Sequence, residues 1–428
     1  MRPTFLVDMQ RKTFDIDWVS MLIYGLLLFA GWAAIYAVSS TSTAELMTTN
    51  HGKQLMWIGV SSVVGVIILS LDSRAIEAVS YVAYGLSIAL LLSVFVLGRE
   101  VNGAAVWISF GSISIQPSEF TKITTALALA KYMTSLNFSF KNMRNVLIAF
   151  SFIAAPALIT LFQNDTGSAL VFGSFIIVLY REGLSPLVPI TGLVVLFVCM
   201  LTLGVGNQLI TLSILAVMTL IMFWILQTKR DWKRWAAILT GVYIGIVALS
   251  FTTGFIVSKL QIHQQNRIMV LFNPQIDPQD TGYNVIQSKI AIGSGGFWGK
   301  GFLQGNYTKY KFVPKQVTDF IFCTVGEEGG WIGTTFIVGL FLALILRLIY
   351  MAENAKTRFA RIYGYSAASI FFFHVLVNVG MTVGLVPVIG IPLPFFSYGG
   401  SALLAFSSCL YILINLYSYR SSVLGKKV

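Results

Sequence analysis

Long apolar runs alternate with short polar segments along almost all of this 428-residue chain. A helix needs about 20 apolar residues to cross a hydrocarbon core about 30 Å thick. Runs near that length, bounded by charges or by Gly and Pro, predict about twelve spans. They lie at residues 18–39, 54–71, 77–98, 117–135, 145–163, 167–181, 185–204, 208–227, 236–257, 320–347, 362–385 and 398–419. The run 167–181 is short enough to be a half-helix or a tilted continuation of its neighbour. The predicted fold is all-α, a polytopic helical transmembrane bundle.

One polar interruption, residues 258–319, is far longer than the others. Most connections between elements run about 4 to 6 residues, so a segment of this length is more than a connector. The alternation in YNVIQSKIAI predicts a short amphipathic helix on the membrane surface. The segment holds seven Lys or Arg against three Asp, an excess of four positive charges that suits an anionic partner.

Basic residues near the span ends predict the orientation, because cytoplasmic loops carry an excess of Lys and Arg. Short loops on the other side hold little beyond Lys53 and Arg99. Both termini are therefore expected in the cytoplasm and residues 258–319 outside it. The residues predicted to be cytoplasmic are Arg11, Lys12, Arg74, Lys141, Arg144, Arg181, the KRDWKR cluster at 229–234, Lys356, Arg358, Arg361, Arg420, Lys426 and Lys427.

Composition supports a membrane protein and narrows its chemistry. The chain is 56% hydrophobic and 11% charged, whereas soluble domains carry about 25% charged residues. Its net charge of +12 is explained by the cytoplasmic loops, so we expect no nucleic-acid partner. No cleavable signal peptide is visible, and the first span is expected to stay as an anchor. The cysteines and histidines are scattered, which favours neither a disulfide framework nor a metal site: Cys199, Cys323, Cys409, His51, His263 and His374.

Charged residues inside predicted spans are candidates for function, because each costs about 2.5 to 3.5 kcal/mol on insertion scales. The fourth span opens with QPSEFTK, which places Glu119 and Lys122 three apart on one helix face. They could form a structural ion pair or line a substrate path. Asp165, at the break between the fifth and sixth spans, could pair with Lys122 across the bundle.

Asp277 is the most informative carboxylate of the long segment. The proline after it restricts it to extended conformations and holds its side chain at a rigid corner. Asp-Pro is also a common turn element, which is the alternative reading. Candidate substrate-binding residues stand close to it in the sequence: Arg267, Gln287, Ser288 and Lys289.

The stretch GSGGFWGKG could be mistaken for a phosphate-binding loop. It fails that pattern, because Ser294 stands where a glycine is needed and Gly301 where a Ser or Thr is needed. A backbone nest that holds a pyrophosphate, or a flexible hinge, stays open as an interpretation.

Four stretches in order carry a family resemblance: NGAAVWISFGSISIQPSEFTK, QNRIMVLFNPQIDPQDTGYNVIQSKIAIGSGGFWGKG, FVPKQVTDFIFCTVGEEGGWIG and VGLVPVIGIPLPFFSYGGSA. The chain resembles the SEDS proteins (shape, elongation, division and sporulation) from about the first span to Tyr419. The run KGFLQGNYTKYKFVPKQVTDFIF is more similar to the elongation members than to the division members.

The resemblance implies a peptidoglycan glycosyltransferase of the cell membrane that polymerises lipid II beside a class B penicillin-binding protein, which would dock through transmembrane helices. It places the essential loop aspartate at Asp277 and the loop arginine at Arg267. Its other functional positions fall on Trp107, Glu119, Lys122 and Asp165. Lys300 and Asp319 complete the candidate substrate-binding set. No cofactor is evident, although a divalent cation, Mg or Mn, could assist.

Several positions depart from the family pattern. Val106 stands where an Arg is usual, Val317 where a His is usual, and Lys315 where an acidic residue is usual. The family has ten spans, whereas twelve are predicted here, so an extra helical pair is expected within about 185–257. The whole chain, 1–428, is expected to form a single domain. Two other functions remain open: a transporter that flips the same lipid, or a scaffold that only recruits the transpeptidase.

Overall fold

The computed structural model describes residues 16–39, 49–101, 104–111, 113–226, 232–278 and 280–424. Arg11, Lys12, Lys426, Lys427 and the first half of the KRDWKR cluster lie outside these residues. The described α-helices are α1 Trp18–Ser39, α2 Asn50–Ser70, α3 Ser73–Leu97, α4 Pro117–Met133, α5 Met143–Phe162, α6 Thr166–Phe172, α7 Phe175–Arg181, α8 Leu187–Val205, α9 Gln208–Leu226, α10 Trp232–Lys259, α11 Ile262–Met269, α12 Thr281–Ser294, α13 Asn306–Lys309, α14 Ile321–Glu353, α15 Arg358–Thr382 and α16 Gly400–Leu424.

Ten helices in the described part of the chain are long and apolar enough to cross a membrane: α1, α2, α3, α5, α8, α9, α10, α14, α15 and α16. The predicted span 117–135 corresponds to α4, which has 17 residues and carries Glu119, Lys122 and Lys131. The predicted span 167–181 is broken into two helices of seven residues each, α6 and α7. By length and composition, the prediction of about twelve full spans is therefore two too many for the described residues. The run 167–181 is interrupted, in agreement with the half-helix alternative.

A small sheet between α3 and α4 was not predicted. Strands β1 Arg99–Val101, β2 Ala104–Phe110 and β3 Ile113–Ile115 pair antiparallel in that order. Val106 and Ile108 are buried on β2, while Ser109 and Ser114 bond across the β2–β3 pair at 3.0 Å. Strands this short give no apolar run of spanning length, so a search for spans passes over them.

The described residues divide into two compact units. Unit 1 comprises residues up to 178, 291–379 and those from 390 onward. In it α3 packs on α4, α2 on α16 and α1 on α14. Its core is rich in aromatic side chains that are fully buried: Phe172, Phe175, Phe320, Phe341, Phe359, Phe371, Phe395 and Phe396.

A non-helical segment of unit 1, residues 390–399, packs closely against α1. A Cβ at Gly31 would lie 2.7 Å from the Phe395 carbonyl oxygen, so only glycine fits there. Phe395 itself has a φ of 63°, a left-handed conformation that is rare for a bulky residue. The surrounding core holds this strained backbone in place.

Unit 2 comprises residues 179–290 and 380–389. Helices α8, α9 and α10 pack together in it through hydrogen-bonded polar side chains. Ser250 Oγ bonds Thr202 Oγ1 at 3.0 Å and accepts from Gln208 Nε2 at 2.9 Å. Between apolar helices such bonds favour association, because lipid offers a polar group no partner. After α11, a 3₁₀ turn at Pro274–Ile276 leads into α12, which confirms the helix predicted over YNVIQSKIAI.

Candidate active site

Asp277 lies in unit 2, directly after the 3₁₀ turn and before α12. Its side chain is half-buried. Oδ1 accepts from the Asp280 N–H at 3.3 Å and Oδ2 from the Thr281 N–H at 3.4 Å. Both contacts are long, and an ionised carboxylate has about four acceptor positions. The geometry therefore includes the turn contacts of an Asp at a helix start and leaves capacity for a further donor.

Glycine at position 282 sets the backbone around Asp277. A Cβ there would lie 2.0 Å from the Pro274 carbonyl oxygen and 2.4 Å from that of Asp277. The Tyr283 N–H donates to the same Asp277 oxygen at 3.2 Å. The first turn of α12 is thus pressed directly onto the backbone that carries the aspartate.

The other candidates of unit 2 flank this turn along the chain. Arg267 is half-buried in the last turn of α11. On α12, Gln287 is half-buried, Lys289 is exposed, and Ser288 is fully buried with its hydroxyl donating to the Thr382 carbonyl at 2.9 Å. Ser288 therefore anchors α12 to the end of α15, and its hydroxyl is taken up by that contact.

Glu119 and Lys122 form the predicted ion pair in unit 1. Lys122 Nζ lies 2.8 Å from Glu119 Oε1, and both side chains are 2% exposed. The same Nζ lies 3.0 Å from His374 Nε2 on α15. Sequence reasoning missed His374, because nothing in the sequence links a lone histidine to a lysine 252 residues earlier.

The predicted pairing of Asp165 with Lys122 is wrong. Asp165 caps α6 by accepting from the Ser168 N–H at 2.9 Å, and it accepts from Gln116 Nε2 at 3.2 Å. Helix starts have unsatisfied N–H groups, and Asp is among the residues that best satisfy them. Asp165 thus joins the start of α6 to the residue that precedes α4, beside a Ser118–Ser168 contact of 3.1 Å.

Lys300 is bound to a carboxylate that sequence reasoning did not single out. Its Nζ lies 2.8 Å from Oε1 of Glu327, whose side chain is fully buried. Glu327 also accepts from the N–H groups of Tyr307 and Thr308 and from the Thr308 hydroxyl, at 2.8 to 2.9 Å. The signal in the sequence is the pair of glutamates in GEEGG, inside an otherwise apolar run.

The glycines of GSGGFWGKG do not form a free phosphate nest. The N–H groups of Gly299, Lys300 and Gly301 donate to the carbonyls of Gly295, Glu327 and Glu328 at 2.9 to 3.0 Å. Gly299 has a φ of 80° and Gly330 a φ of 62°. A Cβ at Gly330 would lie 2.2 Å from the backbone nitrogen of Gly299. The glycines instead allow this loop to pack tightly against α14 at Gly330, where the backbone of that helix departs from helical geometry.

Trp107 and Asp319 complete the predicted set, and both are half-buried in unit 1. Trp107 lies on β2. The Asp319 carbonyl accepts from Asn378 Nδ2 at 2.9 Å, and Asn378 also donates to the Ile391 carbonyl at 2.8 Å. The candidates are thus divided between the units, with Asp277, Arg267, Gln287, Ser288 and Lys289 in unit 2. Over the described residues, no group of three or more His, Cys, Asp or Glu could hold a metal ion.

The ten long apolar helices of the described residues, with a charged pair buried among them, define a multi-pass helical membrane protein. Residues 16–203 and 184–422 match the model of the FtsW, RodA and SpoVE family, which is described as "Cell cycle protein". The chain belongs to this family, which confirms the SEDS resemblance.

Similar proteins cover nearly the whole chain. The peptidoglycan glycosyltransferase MrdB of Escherichia coli (strain K12) is 31% identical over 422 residues, which cover 98% of each chain. The peptidoglycan glycosyltransferase RodA of Treponema pallidum is 30% identical over 92% of this chain and 95% of its own.

Two solved structures share the fold. The rod shape determining protein RodA of Thermus thermophilus has a TM-score of 0.60 at 22% identity, covering 97% of this chain and 98% of that one. A chain from a peptidoglycan synthase complex that coordinates polymerization and crosslinking has a TM-score of 0.69 at 23% identity, covering 95% and 98%.

Proposed function

We propose that this chain is a peptidoglycan glycosyltransferase that polymerises lipid II for cell-wall elongation. Full-length relatives named peptidoglycan glycosyltransferases support the activity. The observation that supports the site is the setting of Asp277, a half-buried carboxylate held at the start of α12 by two long hydrogen bonds. These contacts leave the carboxylate able to accept a hydrogen bond from a further donor.

In the proposed reaction Asp277 is the general base. It takes the proton of the acceptor sugar hydroxyl as that oxygen bonds to the anomeric carbon of a second lipid-linked disaccharide. The bond from that carbon to undecaprenyl pyrophosphate breaks, and the electron pair leaves with the pyrophosphate. One displacement inverts the anomeric centre and needs no covalent glycosyl-enzyme.

Cations of the same unit would stabilise the leaving group. Arg267 and Lys289 have no carboxylate partner among the described residues of the chain. A guanidinium is always charged and binds phosphate oxygens in a bidentate fashion, so Arg267 suits the developing pyrophosphate charge. Lys300 suits it less, because its ammonium is paired with Glu327. A divalent cation, Mg or Mn, could enter with the pyrophosphate; assays with each metal and with a chelator test this part.

The deciding experiment measures initial rates of lipid II polymerisation by purified protein. Asp277→Asn keeps the size and much of the hydrogen bonding but cannot accept the proton, so the rate should fall about 100-fold or more. Asp280→Asn, three residues on and exposed, is the matched control and should retain most of the rate. A stable Asp277→Asn protein with a near-normal rate would leave only the turn role.

The same assay separates the alternative functions. Polymer made by the purified chain alone requires an enzyme, whereas a lipid flippase or a scaffold for the transpeptidase would make none. The partner in the proposal is a class B penicillin-binding protein that docks through its transmembrane helix. The similarity to a chain of a complex that couples polymerization and crosslinking supports such a partner.

A further inference from the structure

His374 connects the Glu119–Lys122 pair to the non-helical segment 390–399. Its Nδ1 lies 3.0 Å from the Pro392 carbonyl oxygen, and its Nε2 lies 3.0 Å from Lys122 Nζ. A carbonyl oxygen can only accept, so Nδ1 carries a hydrogen and donates. The Lys122 ammonium can only donate, so Nε2 accepts. These two contacts define a neutral imidazole with its hydrogen on Nδ1.

All three side chains are inaccessible. His374, like Lys122 and Glu119, is buried in the interior of unit 1. The ring of His374 also packs edge-on against the ring of Phe406, with 4.8 Å between the ring centres. Lys122 Nζ lies 5.7 Å from the centre of the Phe406 ring. Buried this deeply, Glu119 and Lys122 act on a substrate through the structure they hold and not by touching it.

The structure they hold is the first turn of α4. Glu119 lies in that turn, next to Ser118, which bonds Ser168, and shortly after Gln116, which bonds Asp165. Asp165 is half-buried and thus closer to solvent than the three buried groups. The contacts therefore run from segment 390–399 through His374, Lys122 and Glu119 to the start of α4.

We infer that His374 is a positioning residue that acts through Lys122: it directs the ammonium onto Glu119 and so orders the start of α4 for the polymerase reaction. This inference rests on the proposed function. It replaces direct substrate binding by Glu119 and Lys122 with an indirect role that a third side chain shares.

A double-mutant cycle tests this coupling, with polymerisation rates taken well below the melting temperature of each variant. His374→Phe keeps an aromatic ring near Phe406 but removes the acceptor, and should lower kcat/KM about tenfold or more, the range expected for a hydrogen bond to a charged group. Lys122→Met should lose at least as much. Because His374 acts through Lys122, adding His374→Phe to Lys122→Met should cost little more.

A conservative variant and a control complete the test. His374→Gln retains an acceptor for Lys122 and should recover most of the rate lost in His374→Phe. Ser369→Ala removes a buried hydroxyl of the same helix that donates to the Ser366 carbonyl within that helix, and should leave the rate unchanged. Additive losses in the double variant, or no recovery with Gln, would overturn the inference. A wild-type protein without polymerase activity would count against the proposed function instead, while the same cycle in melting temperatures would still report the coupling.

Discussion

At the scale of single residues, Glu327 and Glu119 show two ways of keeping a carboxylate inside this protein. Glu119 has a lysine three residues on, and that spacing made the pair predictable from the sequence. Glu327 is satisfied by donors 19 to 27 residues earlier, and His374 reaches Lys122 across 252 residues. Contacts set by chain packing leave no local pattern, so neither residue could be assigned a partner from the sequence.

We expect the backbone donors of Glu327 to matter more than its lysine. Glu327→Gln replaces one carboxylate oxygen with an N–H₂ donor, so either the Tyr307 N–H or the buried Thr308 N–H loses its acceptor. An unsatisfied buried group costs about 1 to 3 kcal/mol. Lys300→Met removes an ammonium that is 27% exposed, while the N–H groups of Tyr307 and Thr308 and the Thr308 hydroxyl still satisfy the buried carboxylate, so we expect a smaller loss. Thermal melts of the two variants should therefore show the larger loss for Glu327→Gln. Equal losses would mean that the ion pair dominates.

At the scale of elements, the structure of the long segment 258–319 was predicted in part. Alternation identified α12, because a half-buried helix leaves a periodic pattern in its own sequence. The close approach of α12 to the Asp277 backbone leaves no such pattern, since it depends on a missing Cβ at Gly282. The departure of α14 from helical geometry at Gly330 was also missed, because it too depends on a position without a Cβ.

Two glycines of α12 give a matched pair of variants. Gly282→Ala would place a Cβ 2.0 Å from the Pro274 carbonyl oxygen, so α12 must move away from the Asp277 turn. Polymerisation should fall at least tenfold, in line with the sensitivity of catalysis to displacements of about 1 Å. Gly293→Ala meets nothing within 4 Å and should keep its activity, with a small gain in stability from better helix propensity. A fully active Gly282→Ala protein would show that the turn tolerates this displacement.

At the scale of the whole molecule, the apolar pattern located each of the ten long apolar helices of the described residues, because a bilayer sets a minimum length for a spanning helix. It overcounted where charge or a break shortens an element, as in α4 and in the α6–α7 pair. The division of the candidate residues between two units could not be foreseen, because the units are not continuous in sequence. Unit 2, for example, combines residues 179–290 with residues 380–389.

Orientation is the whole-molecule prediction. Lys233 and Lys309 are exposed and are expected on opposite sides of the membrane, with Lys233 cytoplasmic, because basic loops alternate along the chain. In a protein lacking Cys199, Cys323 and Cys409, Lys233→Cys and Lys309→Cys should react with an impermeant thiol reagent from opposite faces. Labelling of both from one face would contradict a membrane crossing by α10 between them and so overturn the predicted orientation.

The charges of α4 also have a consequence for biosynthesis. This helix holds Glu119, Lys122 and Lys131 within 17 residues and is not among the ten described helices that are long and apolar enough to cross a membrane. Helix α15, which brings His374 to Lys122, is synthesised some 250 residues later. While the ribosome makes the intervening chain, α4 has neighbours such as α3, α5 and α6 and its own Glu119, but neither His374 nor α16. The Lys122 ammonium therefore gains its last partners only with α15 and α16, and we expect a chain truncated before α15 to hold α4 less stably in the membrane.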